Sequence, residues 1–214
     1  GKSERTLASS SRHCRLGIAV PDPDTAGQDY AQAILDIVSR EAIDIILPMT
    51  EVSIHQLNSV RDQFPTSVVL ACSPPDQMNV VSNKFNLFQK AEQLGVPVPA
   101  TLYLKSKRDL PSILKDIPRY PMVVKPSLSR LPHRNGFLSG GVKYAGSRQE
   151  LEHIYATKDM LQYPSMVQER IQGSGTGLFT LFDSARHLAL FSHRRVREKP
   201  PSGGVSVVSE RAPS

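Results

Sequence analysis

Two lysines stand where phosphate chemistry would need them. Lys125 ends the apolar run Tyr-Pro-Met-Val-Val-Lys-Pro-Ser of 120–127 and is followed by a stretch rich in Ser, Arg and Gly that closes at Gly140 and Gly141. A lysine leaving a strand beside a flexible basic loop can neutralise phosphate charge. Backbone N–H groups of such a loop, Ser127, Gly140 and Gly141 among them, can cradle an anion because nothing bulky blocks its approach. Further on, the run Val-Gln-Glu-Arg-Ile of 167–171 predicts a strand, bringing Gln168, Glu169 and Ile171, whose backbone groups can read an adenine edge. A run holding Gly173, Gly175 and Gly177 follows it. Upstream, Lys84 falls in the first turn of a predicted helix, where a cation opposes the helix dipole, and that misfit argues for a functional role.

The elements that must position these groups follow from period and punctuation. Residues 121–124 and 141–145 predict strands, a helix begins at about Ser147, and 165–171 predicts a third strand. Residues 82–95 predict a helix with Ser82 as N-cap, with Lys84, Phe88, Ala91 and Leu87, Leu94 on helical rows, and with Gly95 just past its end. Pro97 and Pro99 then force an extended exit into a strand at 101–104, and 110–117 predicts a short helix.

The first third reads as alternating strands and helices. Residues 5–10 and 18–20 predict short strands, the second cut by Pro-Asp-Pro-Asp at 21–24. Thr25 can cap a helix carrying Tyr30, Ile34, Ile37 and Val38 up to about Arg40. The run Ile-Asp-Ile-Ile-Leu of 43–47 suits a strand buried on both faces of a parallel sheet, as does Ser-Val-Val-Leu-Ala of 67–71. Between them Thr50 caps a helix with Val52, His55, Gln56 and Val60, on which His55 reads as a helix-face residue rather than a catalyst. This alternation is the signature of an open α/β sheet. No Gly-x-Gly-x-x-Gly follows any strand, so the dinucleotide fingerprint is absent. At the far end, 178–182 and 187–191 predict a hairpin about a turn at 183–186, and an Arg-rich run at 193–198 leads to Pro-Pro-Ser-Gly-Gly at 200–204.

Composition narrows the partners. A chain of 214 residues with 39% hydrophobic content can bury a core in one or two domains. No apolar run approaches the roughly 20 residues a membrane span needs, no signal peptide opens the chain, and it reads as soluble and cytoplasmic. The two cysteines, Cys14 and Cys72, form no metal-ligand pair or disulfide framework. His187 and His193 flank one apolar strand without a third ligand nearby, so no metal ligands are assigned. The net charge of +6 favours an anionic partner. Nucleic acid is disfavoured: there is no Trp, aromatics are 6%, and the basic residues concentrate at 125–134 and 193–199 instead of along a helix. Nothing sets an oligomeric state.

The order of these pieces over 82–209 resembles the ATP-grasp family. The pattern from Lys84 through Gly-Val-Pro-Val-Pro at 95–99 looks like the lead-in to that family's lid subdomain, Val-Val-Lys-Pro-Ser matches its phosphate-binding strand, and 167–171 resembles the strand that holds adenine. The resemblance implies an α/β protein: a Rossmann-like domain at 1–81 that lacks its first strand, linker helices at 82–119, a lid subdomain at 120–171, and the start of a C-terminal subdomain at 172–214. It implies ATP held by Lys84, Lys125, Ser127, Gly140, Gly141, Gln168, Glu169 and Ile171, with Arg195 and Arg197 as the anion contacts for the acceptor. The 127–141 stretch corresponds to a flexible flap, longer than the common form and carrying Arg130, His133 and Arg134. The implied chemistry phosphorylates a small carboxylate for attack by an amine. The implied Mg²⁺ ligands, a Glu and then Glu-x-Asn, have no match here and are expected beyond Ser214. Two other readings stay open: a nucleotide-sensing module without catalysis, and a basic nucleic-acid binder.

Overall fold

The structure, a computed structural model, describes residues 1–133, 136–183, 186–199 and 205–212. Arg134, the two central residues of the turn read at 183–186, the run at 200–204 and Ser214 lie outside the described residues. The chain divides into two compact units, one of Gly1–Glu169 and one beginning at Arg170.

In the first unit α1 (Gly27–Glu41) and α2 (Glu51–Ser59) cover a parallel pair, β1 (Ile45–Ile46) and β2 (Val69–Leu70). Thr50 caps α2 as expected, its hydroxyl accepting from the Ser53 N–H. Thr25 does not cap α1; Ala26 takes that place, held in a turn by its N–H to the Asp22 carbonyl. The pair is parallel, but it is not buried on both faces. Ile46 and Leu70 turn inward onto Val38, Leu57 and Phe64, while Ile45 and Val69 are each 56% exposed. One helical layer covers one face, and the period of two sends alternate residues outward. The stretch at 5–10 forms a short 3₁₀ turn at Ala8–Ser10 instead of a strand, because Thr6 and Ser9 side chains satisfy each other's backbone.

Two helices follow with a break between them. α3 (Pro75–Ser82) opens on proline, whose fixed φ and missing N–H suit a first turn. α4 (Lys84–Gln93) is capped by Asn83, whose side chain accepts from the N–H groups of Phe85 and Asn86, so Ser82 ends one helix and does not cap the next. Gly95, at φ 70, sits just past the end of α4, as its type predicts.

The centre of this unit is an antiparallel four-stranded sheet ordered β3 (Thr101–Leu104), β8 (Ser165–Glu169), β4 (Met122–Pro126), β7 (Lys143–Ala145). Leu104, Val124, Val167 and Ala145 share one face and pack on α5 (Leu110–Ile113) and α6 (Arg148–Thr157) through Leu110, Leu151 and Tyr155. Between β4 and β7, the stretch read as a flap holds an antiparallel pair, β5 (Arg130–His133) with β6 (Gly136–Ser139).

The second unit is an antiparallel sheet of β9 (Thr176–Asp183), β10 (Arg186–Lys199) and β11 (Val205–Arg211), with β10 in the middle and bulged between Arg195 and Arg197 where it meets β11. Gly175 and Gly177 permit close packing: a Cβ on either would meet Arg195 or His193 within 3.0 Å.

Candidate nucleotide site

The register of the four-stranded sheet fixes which side chains share its second face. Lys125 lies opposite Met166, Val123 opposite Gln168, Thr101 opposite Gln168, and Tyr103 opposite Met166. Lys125, Val123, Gln168, Met166, Thr101 and Tyr103 therefore form one surface, and the aliphatic core lies behind it. α4 lies against this surface: Phe85 meets Tyr103 edge-on with ring centroids 4.9 Å apart, and the Lys125 ammonium stands 5.9 Å from the centre of the Phe88 ring.

Lys84 is thereby brought to Lys125. The two half-buried ammonium groups repel one another; burial first, and then Lys84, lowers the Lys125 pKa. Burial also lowers the Lys84 pKa, offset in part by the carboxylate of Glu51. Lys84 Nζ donates to Ser129 Oγ at 2.7 Å. Among the described residues neither lysine has a carboxylate within ion-pair distance. Two neighbouring cations, one of them donating to a hydroxyl, make a positive field suited to an anion.

The other expected residues divide. Ser127 is buried, but its backbone is spent on the fold: its N–H donates to the Pro164 carbonyl at 2.9 Å and its carbonyl accepts from the Lys84 N–H at 2.7 Å. Ser129, two residues on, supplies the hydroxyl that meets Lys84, and no local signal in the sequence sets it apart from Ser127. Gly140 does not offer its N–H to an anion either, because it donates to the Ser129 carbonyl. A Cβ there would meet Met160 and Pro126 at 2.6 and 2.8 Å, so this glycine serves close packing. Gly141 has open space around it.

Gln168 is 1% exposed; its Nε2 donates to Thr101 Oγ1 at 2.8 Å and its Oε1 has no partner. Glu169 is committed elsewhere. Its N–H donates to the Ala100 carbonyl, one carboxylate oxygen accepts the Ala100 N–H at 3.0 Å, and the other meets Arg119. It ties the end of β8 to the segment before β3, so its N–H and its carboxylate are both engaged within the fold. Ile171, Arg195 and Arg197 belong to the second unit, where Arg195 Nη1 donates to Glu198 Oε1 at 3.2 Å. His187 and His193 are not gathered into a metal site: among the described residues no three His, Cys, Asp or Glu side chains come together to hold an ion.

No protein family's sequence profile and no curated protein matches the chain. Solved structures do. N5-carboxyaminoimidazole ribonucleotide synthetase in its ADP complex aligns over 83% of this chain at TM-score 0.59 and 13% identity. D-alanine–D-alanine ligase from Bacillus anthracis with ATP aligns over 84% at 0.56 and 19%, and L-amino acid ligase from Bacillus licheniformis over 86% at 0.54 and 18%. The chain spans 42%, 56% and 40% of those three proteins, respectively. On this likeness of architecture, the chain has the fold of the ATP-grasp ligases.

Proposed function

We propose that this chain holds the nucleotide in an ATP-dependent ligase that joins a carboxylate to an amine. The observation that carries the reading is the Lys84–Lys125 pair, two partly desolvated ammonium groups, one from α4 and one from the sheet face it covers, with no carboxylate of the described residues within ion-pair distance. Lys84, oriented by Ser129, and Lys125 would hold the phosphates. The buried, unpartnered Oε1 of Gln168 is an acceptor suited to the exocyclic amine of adenine. Gly141 would offer its N–H to a phosphate oxygen, and Ile171 would contact the base.

Bound ATP would supply its γ-phosphoryl group to a carboxylate oxygen, giving an acylphosphate on which an amine displaces phosphate. The chain's own part is electrostatic. Two fixed cations in a partly water-excluded place offset negative charge on phosphoryl oxygens more strongly than they would in water. Arg195 and Arg197 would meet the acceptor anion, since a guanidinium fork matches a carboxylate. The described acidic residues do not make a Mg²⁺ site, and none is assigned to them. No helix among the described residues is long and apolar enough to cross a membrane, and a cytoplasmic setting accords with a metabolic ligase.

Calorimetric titration with ATP, ADP and AMP tests the reading. ATP should bind more tightly than AMP, and Lys125→Met should narrow that gap. An ATP affinity that the substitution leaves unchanged removes Lys125 from the site.

A further inference from the structure

Two lysines stand where the core period calls for apolar residues. Lys143 lies directly opposite Val124 in the sheet, so its stem leaves on the same face as Val124 and as Ala145, both buried. Lys158 follows Leu151 and Tyr155 of α6 at helical spacing, on the row that packs against the sheet. Both lysines are exposed, and among the described residues neither joins an ion pair. A cation at the end of α6 suits the helix dipole. That accounts for Lys158 but not for Lys143.

Both border one cavity of about 390 Å³, whose walls include Val124, Pro126, Leu138 and Met160. It lies across the sheet from the candidate nucleotide site, because Val124 and Pro126 of β4 line it while Lys125 between them belongs to the other face. Its volume falls within the roughly 300–1,000 Å³ of small-molecule pockets. The lining is aliphatic and holds no aromatic ring on which a base could stack. Its polar groups are partly engaged: Thr157 Oγ1 donates to the His153 carbonyl at 2.9 Å, and Asp159 Oδ1 accepts from Gln162 Nε2 at 3.3 Å. Two ammonium groups against that one carboxylate leave a positive rim on an aliphatic pocket.

We propose that this cavity binds an aliphatic chain of medium length that ends in an anion. The chain lies among Val124, Leu138 and Met160, and the head group sits between Lys143 and Lys158. Lysine suits this place, since its stem extends the apolar wall while its ammonium stays in water. The cavity also touches the hairpin. Gly140 forms part of its wall, packed so closely on Met160 and Pro126 that a Cβ would meet them at 2.6 and 2.8 Å, and its N–H donates to the Ser129 carbonyl. An occupant that backs Met160 and Pro126 therefore braces the base of the hairpin. This site neither needs the nucleotide reading nor tests it.

The test is calorimetry on the 214-residue chain with octanoate, octyl phosphate, octanol and hexanoate. Octanoate and octyl phosphate should both bind, and octanol, which lacks the charge, should bind about tenfold more weakly. Hexanoate, shorter by two methylenes, should also lose about tenfold. Lys143→Met/Lys158→Met keeps both apolar stems and should bring octanoate down to the affinity of octanol. Leu138→Trp, which fills the cavity without removing either charge, should abolish binding of all four while its melting curve stays cooperative. If that variant does not fold, the lysine pair decides alone. Amide exchange at Gly140 should slow when octanoate is bound. No octanoate binding, or octanol bound as tightly as octanoate, overturns the inference. Octanoate affinity unmoved by the lysine substitutions places the ligand elsewhere and overturns it as well. Octanoate bound with exchange at Gly140 unchanged overturns the brace.

Discussion

Lys84 Nζ donates to Ser129 Oγ at 2.7 Å across 45 residues of sequence, and the Lys84 backbone N–H donates to the Ser127 carbonyl at the same distance. One residue at the start of α4 thus grips the segment after β4 twice, and the direction of its side chain is set by the strand that delivers Lys125. The cation pair is built by backbone, and this makes its consequences testable one at a time.

Removing one charge should move stability and binding in opposite directions. Lys125→Met keeps the apolar stem over Phe88 but deletes an ammonium that burial and Lys84 both disfavour. The ligand-free protein should melt at or above the wild-type temperature. ATP affinity should fall about ten- to a hundred-fold, the equivalent of about 1.5–3 kcal/mol for a hydrogen bond to a charged group. Scanning calorimetry and titration on the same preparation check both. A parallel loss of stability and affinity would mean that Lys125 is a structural residue.

The lowered lysine pKa values also give a pH signature. The ordinary value is 10.5, and both folded values lie below it. Between folded and ordinary values the unfolded chain binds more protons, so this pair makes stability rise with pH in the window just below 10.5. Phosphate binding favours the protonated lysines, so nucleotide affinity should fall with pH over the same window. Denaturant titrations and calorimetry at stepped alkaline pH measure the two slopes. In Lys84→Met/Lys125→Met both slopes should flatten.

A third expectation concerns the aliphatic face. Tyr155 is 2% exposed and its hydroxyl bonds Ser165 Oγ at 2.9 Å, while burial pushes its pKa to about 12. Tyr155→Phe leaves the fully buried Ser165 hydroxyl without that partner and should cost about 1–3 kcal/mol. Leu151→Ala on the same helix should cost about 2–5 kcal/mol by leaving a cavity. Urea melts give both numbers. Nucleotide affinity of the folded fraction should be kept in each, because these side chains lie behind the sheet.

How far these features were legible depends on the residue. The run Met-Val-Val-Lys-Pro predicted β4 and its lysine because a continuous apolar run that ends in a charge is a local signal. The cap at Thr50 and the glycine at 95 were legible for the same reason. Ser129 was not, because nothing local distinguishes it from Ser127; only the grip of Lys84 does. Glu169 read as a base contact because its strand offers free groups in isolation, and the segment at 96–100, far off in sequence, takes them. The helix at 75–82 was passed over although Pro75 and Asp76 mark a first turn, since Pro-Pro reads equally as a loop. The hairpin at 130–139 hides behind Ser, Arg and Gly, which give no alternation.

Gly140 joins packing to function, and its substitution makes the sharpest prediction. Its N–H donates to the Ser129 carbonyl, closing the base of the hairpin, and Met160 and Pro126 crowd the place a Cβ would take. The Pro126 ring is held in β4, so only the Met160 side chain can give way. Gly140→Ala should therefore cost about 1–3 kcal/mol by overpacking. The strain falls on the bond that positions Ser129, so Ser129 should shift and Lys84 should lose its hydroxyl partner. ATP affinity should then drop in the folded protein, and amide exchange at 129–133 should quicken. Gly141→Ala is the control: open space surrounds that residue, so stability should change little. If Gly140→Ala destabilises the protein but leaves ATP affinity and exchange at Ser129 unchanged, the hairpin base does not position the phosphate site.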